Sequence, residues 1–195
     1  MKESAPYLRY PQQKCAYSLA RAATEELVLA ANRHSGMLTG VIRPCTPFGE
    51  GDYEHLAQVI VQVENGNARF QVGNGKNLFD YEYVENLVHG HVLLAKALLR
   101  ASSLPQVSKF ERVDGEAFHI TNDEHWFFWD FTRAVAAKLG RPVQREEIVV
   151  IPKAVGLFMA VLAEWILWIL SLGKRQSNMT VEAIKYSTCH QDSQY

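Results

Sequence analysis

The stretch Ala154 to Leu172, AVGLFMAVLAEWILWILSL, constrains this 195-residue chain more than any other. As a helix it is long enough to cross a bilayer. Glu164 near its middle would cost roughly 2.5 to 3.5 kcal/mol on insertion scales, and Trp165 and Trp168 fall near the centre instead of at the interfaces, so a full span is not favoured. Helical spacing offers another arrangement. Gly156, Ala160, Ala163, Glu164 and Ser171 form a narrow small or polar stripe, while Leu157, Phe158, Val161, Leu162, Trp165, Trp168 and Ile169 cover the wider remainder. Such a helix packs its stripe on the protein and dips its apolar side into a membrane surface, with Lys153, Lys174 and Arg175 at the headgroups. The alternative is a helix enclosed by other protein, a dimer partner included, and an oligomer is compatible with that reading.

The second informative stretch runs from Ala16 to Gly49. Ala, Leu and Glu from about Ala16 to Asn32 predict a helix, with Gly36 as its stop. On that helix Tyr17 and Arg21 stand four apart and share a face. A phenol is a poor base at neutral pH, and a cation one turn away favours the phenolate, which makes the two a candidate acid/base pair. The other reading of the same spacing is that Arg21 pairs with Glu25, also at i+4, and that Tyr17 packs at the helix start. Met37 to Ile42 then reads as a strand buried on both faces, ended by Pro44 and Pro47.

Further along, Leu56, Val59, Ile60 and Val63 predict an amphipathic helix over Tyr53 to Asn65. Arg69 to Val72 and Leu78 to Tyr81 flank Asn74-Gly75 and predict a hairpin in preference to a phosphate-cradling loop. Val84, Leu87, Val88, His91, Leu94, Ala95 and Leu98 predict the packed side of a helix over Val84 to Arg100. His89 and His91, two apart on that helix, diverge and make no metal pair. Ala101 to Gly115 reads as a loop and Ala117 to Ile120 as a strand, with Thr121-Asn122-Asp123 leading into a helix that ends near Leu139-Gly140. Trp126, Phe127, Phe128, Trp129 and Phe131 give that helix an aromatic entry, read as core.

A net charge of -1 and the lack of any basic run exclude nucleic acid as a partner. Cys15, Cys45 and Cys189 are odd in number and far apart, which fits a reducing compartment. The polar, proline-containing start, Met1 to Gln13, has no secretory core. The chain is expected on the cytosolic side of a membrane.

Several segments together resemble one family. They are Tyr17 to Asn32, Val41-Ile42-Arg43-Pro44, Phe48-Gly49-Glu50-Gly51-Asp52, Val72 to Asp80, Tyr83-Val84-Glu85-Asn86, Gly90-His91, Phe118 to Glu124 and Ile151-Pro152-Lys153. The likeness is to the extended short-chain dehydrogenases, within them to the 3β-hydroxysteroid dehydrogenase group and particularly the sterol-4α-carboxylate 3-dehydrogenases. It implies an α/β, partial Rossmann-like fold corresponding to the C-terminal half of such an enzyme, with a small substrate lobe and a hydrophobic C-terminal helix. The expected organisation is an irregular lead-in at 1–15, the dehydrogenase part at 16–153, the hydrophobic helix at 154–172 and a polar tail at 173–195, which reads as cut short.

The resemblance makes Tyr17 the acid/base, and has Arg21 hold its phenolate and the nicotinamide ribose. The backbone around Pro44 would lie beside the nicotinamide ring, the cofactor being NAD or NADP. The family motif has Lys where this chain has Arg21, which keeps the charge but presents a larger planar fork. The glycine-rich dinucleotide turn and the catalytic Ser or Thr that precede the Tyr in the family have no counterpart in this sequence. The implied partner is a sterol-like or terpenoid small molecule, oxidised at a 3β-hydroxyl on the cytosolic face of the endoplasmic reticulum membrane. The competing expectation is a catalytically inactive family member that serves as a substrate-lobe or membrane-interaction module.

Overall fold

The computed structural model describes residues 7–103, 112–175, 177 and 179–188. In chain order the elements begin with α1 (Ala16–Ala30), β1 (Val41–Pro44), β2 (Thr46–Phe48), α2 (His55–Glu64), β3 (Phe70–Val72), β4 (Leu78–Tyr83) and α3 (Val84–Ser103). They continue with β5 (Ala117–Ile120), β6 (His125–Phe127), α4 (Phe128–Lys138), β7 (Val149–Ile151), α5 (Lys153–Ser171) and α6 (Val181–Thr188). The chain divides into two compact units. The first holds the described residues up to Glu50 together with Asp80–Glu124; the second holds Gly51–Phe79 and the described residues from His125 onward.

In the first unit β1 pairs in parallel with β5, from Val41 opposite Ala117 to Pro44 opposite Ile120. A second parallel pair sets Thr46 opposite Tyr81 and Phe48 opposite Tyr83. Helix α1 packs on β1, and α3 packs on β1, β2 and β5. Parallel strands covered by helices are the α/β arrangement expected. α3 comes close to the sheet at Gly90, its buried position: a Cβ there would stand 2.8 Å from Ile120 Cδ1. Gly49, at φ +143°, leaves only 2.6 Å between a built Cβ and Val84 Cγ1, so the bend after β2 admits no side chain.

The end of α1 is locked by Asp114, whose carboxylate is fully buried. Arg33 Nε donates to it at 2.7 Å and Asn32 Nδ2 at 2.9 Å, with Arg112 alongside. These charge-assisted bonds hold the Asp114 carboxyl well below the usual range, the Arg33 bond contributing most.

In the second unit α2 packs on α4 around Val63, Ala68 and Ala136. β3 pairs in parallel with β7, Phe70 opposite Val149 and Val72 opposite Ile151. A second cluster joins Val72, Ala160 of α5 and Ile184 of α6, with Trp129, Ile151 and Leu157 packed around it. Phe79, Phe128, Trp129 and Tyr186 stack edge to face at centroid distances of 5.1 Å for Phe79–Phe128, Phe79–Tyr186 and Phe128–Trp129, so that part of the aromatic run is core. α5 turns Gly156, Ala160, Ala163, Glu164 and Ser171 inward and exposes Phe158, Trp165, Trp168 and Ile169. The mid-helix acid has a structural use: Glu164 Oε1 accepts the Val181 amide at 2.9 Å and caps the start of α6.

Five expectations need correction. The first strand is Val41–Pro44, later than Met37 to Ile42, and it is half-buried because within its sheet it pairs on one edge only. The glycines at 73 and 75 do make a turn, at φ +76° and +68°, but its flanks are not a hairpin. β3 goes to β7 and β4 to β2, both parallel, and the Gly73 amide extends the β3 ladder to Ile151 O. On α3, Val88, His91 and Ala95 face solvent, because Gly90, which no hydropathy pattern marks, is the packed position. Asn122 does not lead a helix; its side chain bonds Tyr81 O and the Tyr83 amide, and Phe127 precedes α4 instead. The tail carries α6, whose Ile184 is buried, so it is more than a polar extension.

Candidate active site on the first helix

Tyr17 and Arg21 lie on the first two turns of α1 and both are exposed, Tyr17 at 68%. The Arg21 guanidinium stands over the Tyr17 ring, its Cζ 5.6 Å from the centroid, a cation–π arrangement. The i, i+4 spacing therefore produces a pair, and the competing partner for Arg21 is engaged elsewhere. Glu25, one turn further on, accepts from Arg43 Nη2 at 2.6 Å and Nε at 3.0 Å, and from the Tyr7 hydroxyl at 2.7 Å.

Arg43 comes from the adjoining strand β1 and is followed directly by Pro44. Its guanidinium also lies 5.7 Å from the Tyr7 ring centroid, with His119 of β5 in reach of Nη1. The Glu25 and Arg43 side chains are each 14% exposed, so the pair joins the Tyr17 helix to the end of β1 from a half-dry interior position. Burial alone would raise the Glu25 carboxyl, but the hydrogen bonds from Arg43 and Tyr7 outweigh it and leave it below its usual range. The same contacts raise Arg43.

Pro44, half-buried, lies at the carboxyl end of β1. The next amide, that of Cys45, donates to Glu82 Oε2 at 3.3 Å. Downstream, Tyr83 donates its hydroxyl to Glu50 at 2.9 Å. Neither Glu25–Arg43 nor Glu82 was among the residues expected from sequence. Glu25 carried a signal through its spacing from Arg21, but its real partner is 18 residues away. Glu82 carried none, since an acid at that point of a strand reads as solvent-facing.

The pattern of a nicotinamide–ribose site can be tested on these side chains. The Tyr17 hydroxyl and the Arg21 fork are exposed donors on one helix face, a donor set that suits ribose hydroxyls. For a pyrophosphate the two glycine-spaced loops among the described residues offer no match: Gly73-Asn74-Gly75 leads into β4, and Gly49-Glu50-Gly51 leads to α2, whose first amides, those of Glu54, His55 and Leu56, already donate to Asp52. The exposed donors on α1 thus have the chemistry to bond a ribose, and neither glycine loop among the described residues is set to receive phosphates.

The family model described as 3-beta hydroxysteroid dehydrogenase/isomerase family matches residues 2–152, a span that contains Tyr17, Arg21 and Pro44. The chain belongs to this family.

Among curated relatives, the sterol-4-alpha-carboxylate 3-dehydrogenase (decarboxylating) of Schizosaccharomyces pombe is 34% identical over 88% of this chain and 46% of its own length. The human protein of the same description is 40% identical over 70% of this chain and 34% of its own. An Arabidopsis thaliana 3beta-hydroxysteroid-dehydrogenase/decarboxylase is 37% identical over 71% and 30% respectively. The chain thus spans about a third to a half of the length of these relatives. Solved structures show the same fold at low identity. A nucleoside-diphosphate-sugar epimerase from Pseudomonas aeruginosa superposes with a TM-score of 0.56 at 19% identity, covering 100% of this chain and 57% of that one. A dTDP-glucose 4,6-dehydratase from Bacillus anthracis, solved with NAD, superposes at 0.53 and 18%, covering 78% and 43%.

Proposed function

We propose that this family member carries the proton-transfer pair of an NAD- or NADP-dependent oxidoreductase acting on the 3β-hydroxyl of a sterol, steroid or related terpenoid. The observation that carries the reading is the Tyr17–Arg21 pair, exposed on α1 inside a family match that spans most of the chain. When bound, the nicotinamide supplies the hydride acceptor. Tyr17 takes the hydroxyl proton of the substrate, and Arg21 keeps a positive charge against its ring and reaches the ribose. The backbone around Pro44, which follows the Arg43 that bonds Glu25 of α1, would lie beside the nicotinamide ring. With a carboxylate on the neighbouring carbon, oxidation gives a 3-keto acid, which can lose carbon dioxide because the ketone accepts the developing carbanion.

The same reading puts α5 on the cytosolic surface of the endoplasmic reticulum membrane. Its support is the exposed row Phe158, Trp165, Trp168 and Ile169, with Lys153, Lys174 and Arg175 at the two ends to meet anionic headgroups. Among the described residues α5 is the one helix long and apolar enough to cross a membrane.

A second reading, a non-catalytic interaction module, is favoured by one feature: Arg21 occupies the position of the family Lys, and its guanidinium covers the Tyr17 ring face. Turnover of a 3β-hydroxysterol by detergent-solubilised protein separates the two. The enzyme reading expects ketone formation that Tyr17→Phe abolishes and Arg21→Lys preserves. Ketone formation equal in wild type and Tyr17→Phe would contradict it.

A further inference from the structure

Glu82 lies near the end of β4 with its side chain wholly buried, and the chemistry proposed above gives it no task. Its Oε2 accepts the Cys45 amide, one residue past Pro44, while its Oε1, equally buried, has no hydrogen-bond partner among the described residues. The position is particular. β1 ends at Pro44 in its ladder with β5, β2 begins at Thr46 in its ladder with β4, and Cys45 is the residue between the two ladders. A single side chain therefore reaches the backbone at the bend where the chain passes from one parallel pair to the other.

A buried carboxyl with no cation bonded to it is ordinarily neutral, because desolvation penalises the charged form. Burial pushes the Glu82 carboxyl up to about 7; the Cys45 amide pulls it down, Asp80 two residues back on the same strand pushes it up, and His91 on α3 pulls it down.

We infer that Glu82 is a positioning residue for the Pro44–Cys45–Thr46 bend, gripping the Cys45 amide more tightly as a carboxylate than as a carboxylic acid. An amide bond to an ionised acceptor is shorter and about twice as strong as one to a neutral acceptor. The bend is accordingly better ordered above neutrality and looser below it. For cofactor binding this inference rests on the proposed placement of the nicotinamide ring beside Pro44. The grip itself does not rest on that placement.

Cysteine-selective 15N labelling reads the grip directly, since only Cys15, Cys45 and Cys189 contribute amide signals and Cys45→Ala identifies the one of interest. In the wild type the Cys45 amide proton moves downfield with rising pH around a midpoint near 7. In Glu82→Gln, which keeps an acceptor but cannot ionise, that movement is absent. A Cys45 amide that does not titrate, or that titrates alike in Glu82→Gln, overturns the inference. The cofactor arm follows the fluorescence of the reduced ring. Wild-type affinity falls roughly tenfold from the ionised to the protonated side of the midpoint, the worth of one charge-assisted bond, and Glu82→Gln is flat. Affinity independent of pH in the wild type contradicts the positioning role. Failure of the wild type to bind either cofactor sinks the proposed function alone, and the amide titration then still decides for or against Glu82.

Discussion

Glu25 and Arg43 form the bond that ties the Tyr17 helix to the strand ending at Pro44, with Nη2 to Oε1 at 2.6 Å and both side chains 14% exposed. The two residues belong to separate elements, so their contact fixes α1 against β1 as no local preference does. Removing one partner strands the other in a half-dry interior. Glu25→Ala and Arg43→Ala are each expected to cost about 2 to 4 kcal/mol in urea unfolding, and the double variant less than the sum. Additive losses would show that the pair does not act as a unit.

The same pair sets an acid limb. The Glu25 carboxyl lies below its ordinary value of 4.5 in the folded protein, so the unfolded chain binds the proton more tightly. Its contribution is complete above about pH 4.5 and is lost as pH falls through the folded value. Unfolding followed from neutral pH downward should show a steeper acid loss in the wild type than in Glu25→Gln.

Asp114 anchors the other end of α1. Asp114→Asn removes the charge against which Arg33 and Arg112 bond, and both arginines can then turn to solvent, being 57% and 36% exposed. The expected loss is about 1 to 2 kcal/mol by denaturant melt, below that of the Glu25–Arg43 pair. A loss above that of Arg43→Ala would mean that the clasp, and not the ion pair, dominates the placement of α1.

How far these features could be read beforehand depends on the distance between partners. α1 and β5 were legible because propensity and β-branched or apolar runs are local properties, and β5 falls at Ala117–Ile120 as expected. The inward stripe of α5 was legible for the same reason, helical spacing being a local rule. The turn at Gly73–Gly75 was legible as a turn, but parallel pairing is decided by strands far off in sequence, and β3 met β7 across more than 70 positions. Gly90 at the α3 contact leaves no mark in a hydropathy pattern. The Tyr17–Arg21 pair was legible from spacing, whereas the choice of Arg43 over Arg21 by Glu25 needed the packing of α1 on β1.

Glu82 predicts a slope of opposite sign to that of Glu25. Its folded carboxyl is raised to about 7 from 4.5, so the folded state holds the proton longer. Stability contributed by this group is complete below about pH 4.5 and falls as pH rises toward 7, approaching about 1.4 kcal/mol per pH unit where folded and unfolded states differ by a full proton. Unfolding free energies at pH 5 to 7, as an approximate window, should decline in the wild type and not in Glu82→Gln. A flat wild-type profile contradicts the assignment.

Trp165 and Trp168 stack at 6.1 Å on the outward side of α5. If that side meets lipid, Trp165→Ala with Trp168→Ala should lower sedimentation with vesicles containing anionic lipid by about tenfold or more while leaving the melting temperature within about 2 °C, since neither ring packs in the core. Unchanged sedimentation would place the binding elsewhere.

The proposed function requires Tyr17 and Arg21 to act together on nicotinamide and substrate. Its most direct measurement is titration of NAD(H) and NADP(H) into folded, detergent-solubilised protein, read by the fluorescence of the reduced ring, in wild type, Tyr17→Phe and Arg21→Ala. Saturable binding of at least one of the two cofactors is expected, weakened about tenfold or more in Arg21→Ala by loss of the bonds proposed to the ribose, and retained in Tyr17→Phe. Absence of binding in the folded wild type, or affinity unchanged in Arg21→Ala, would contradict it.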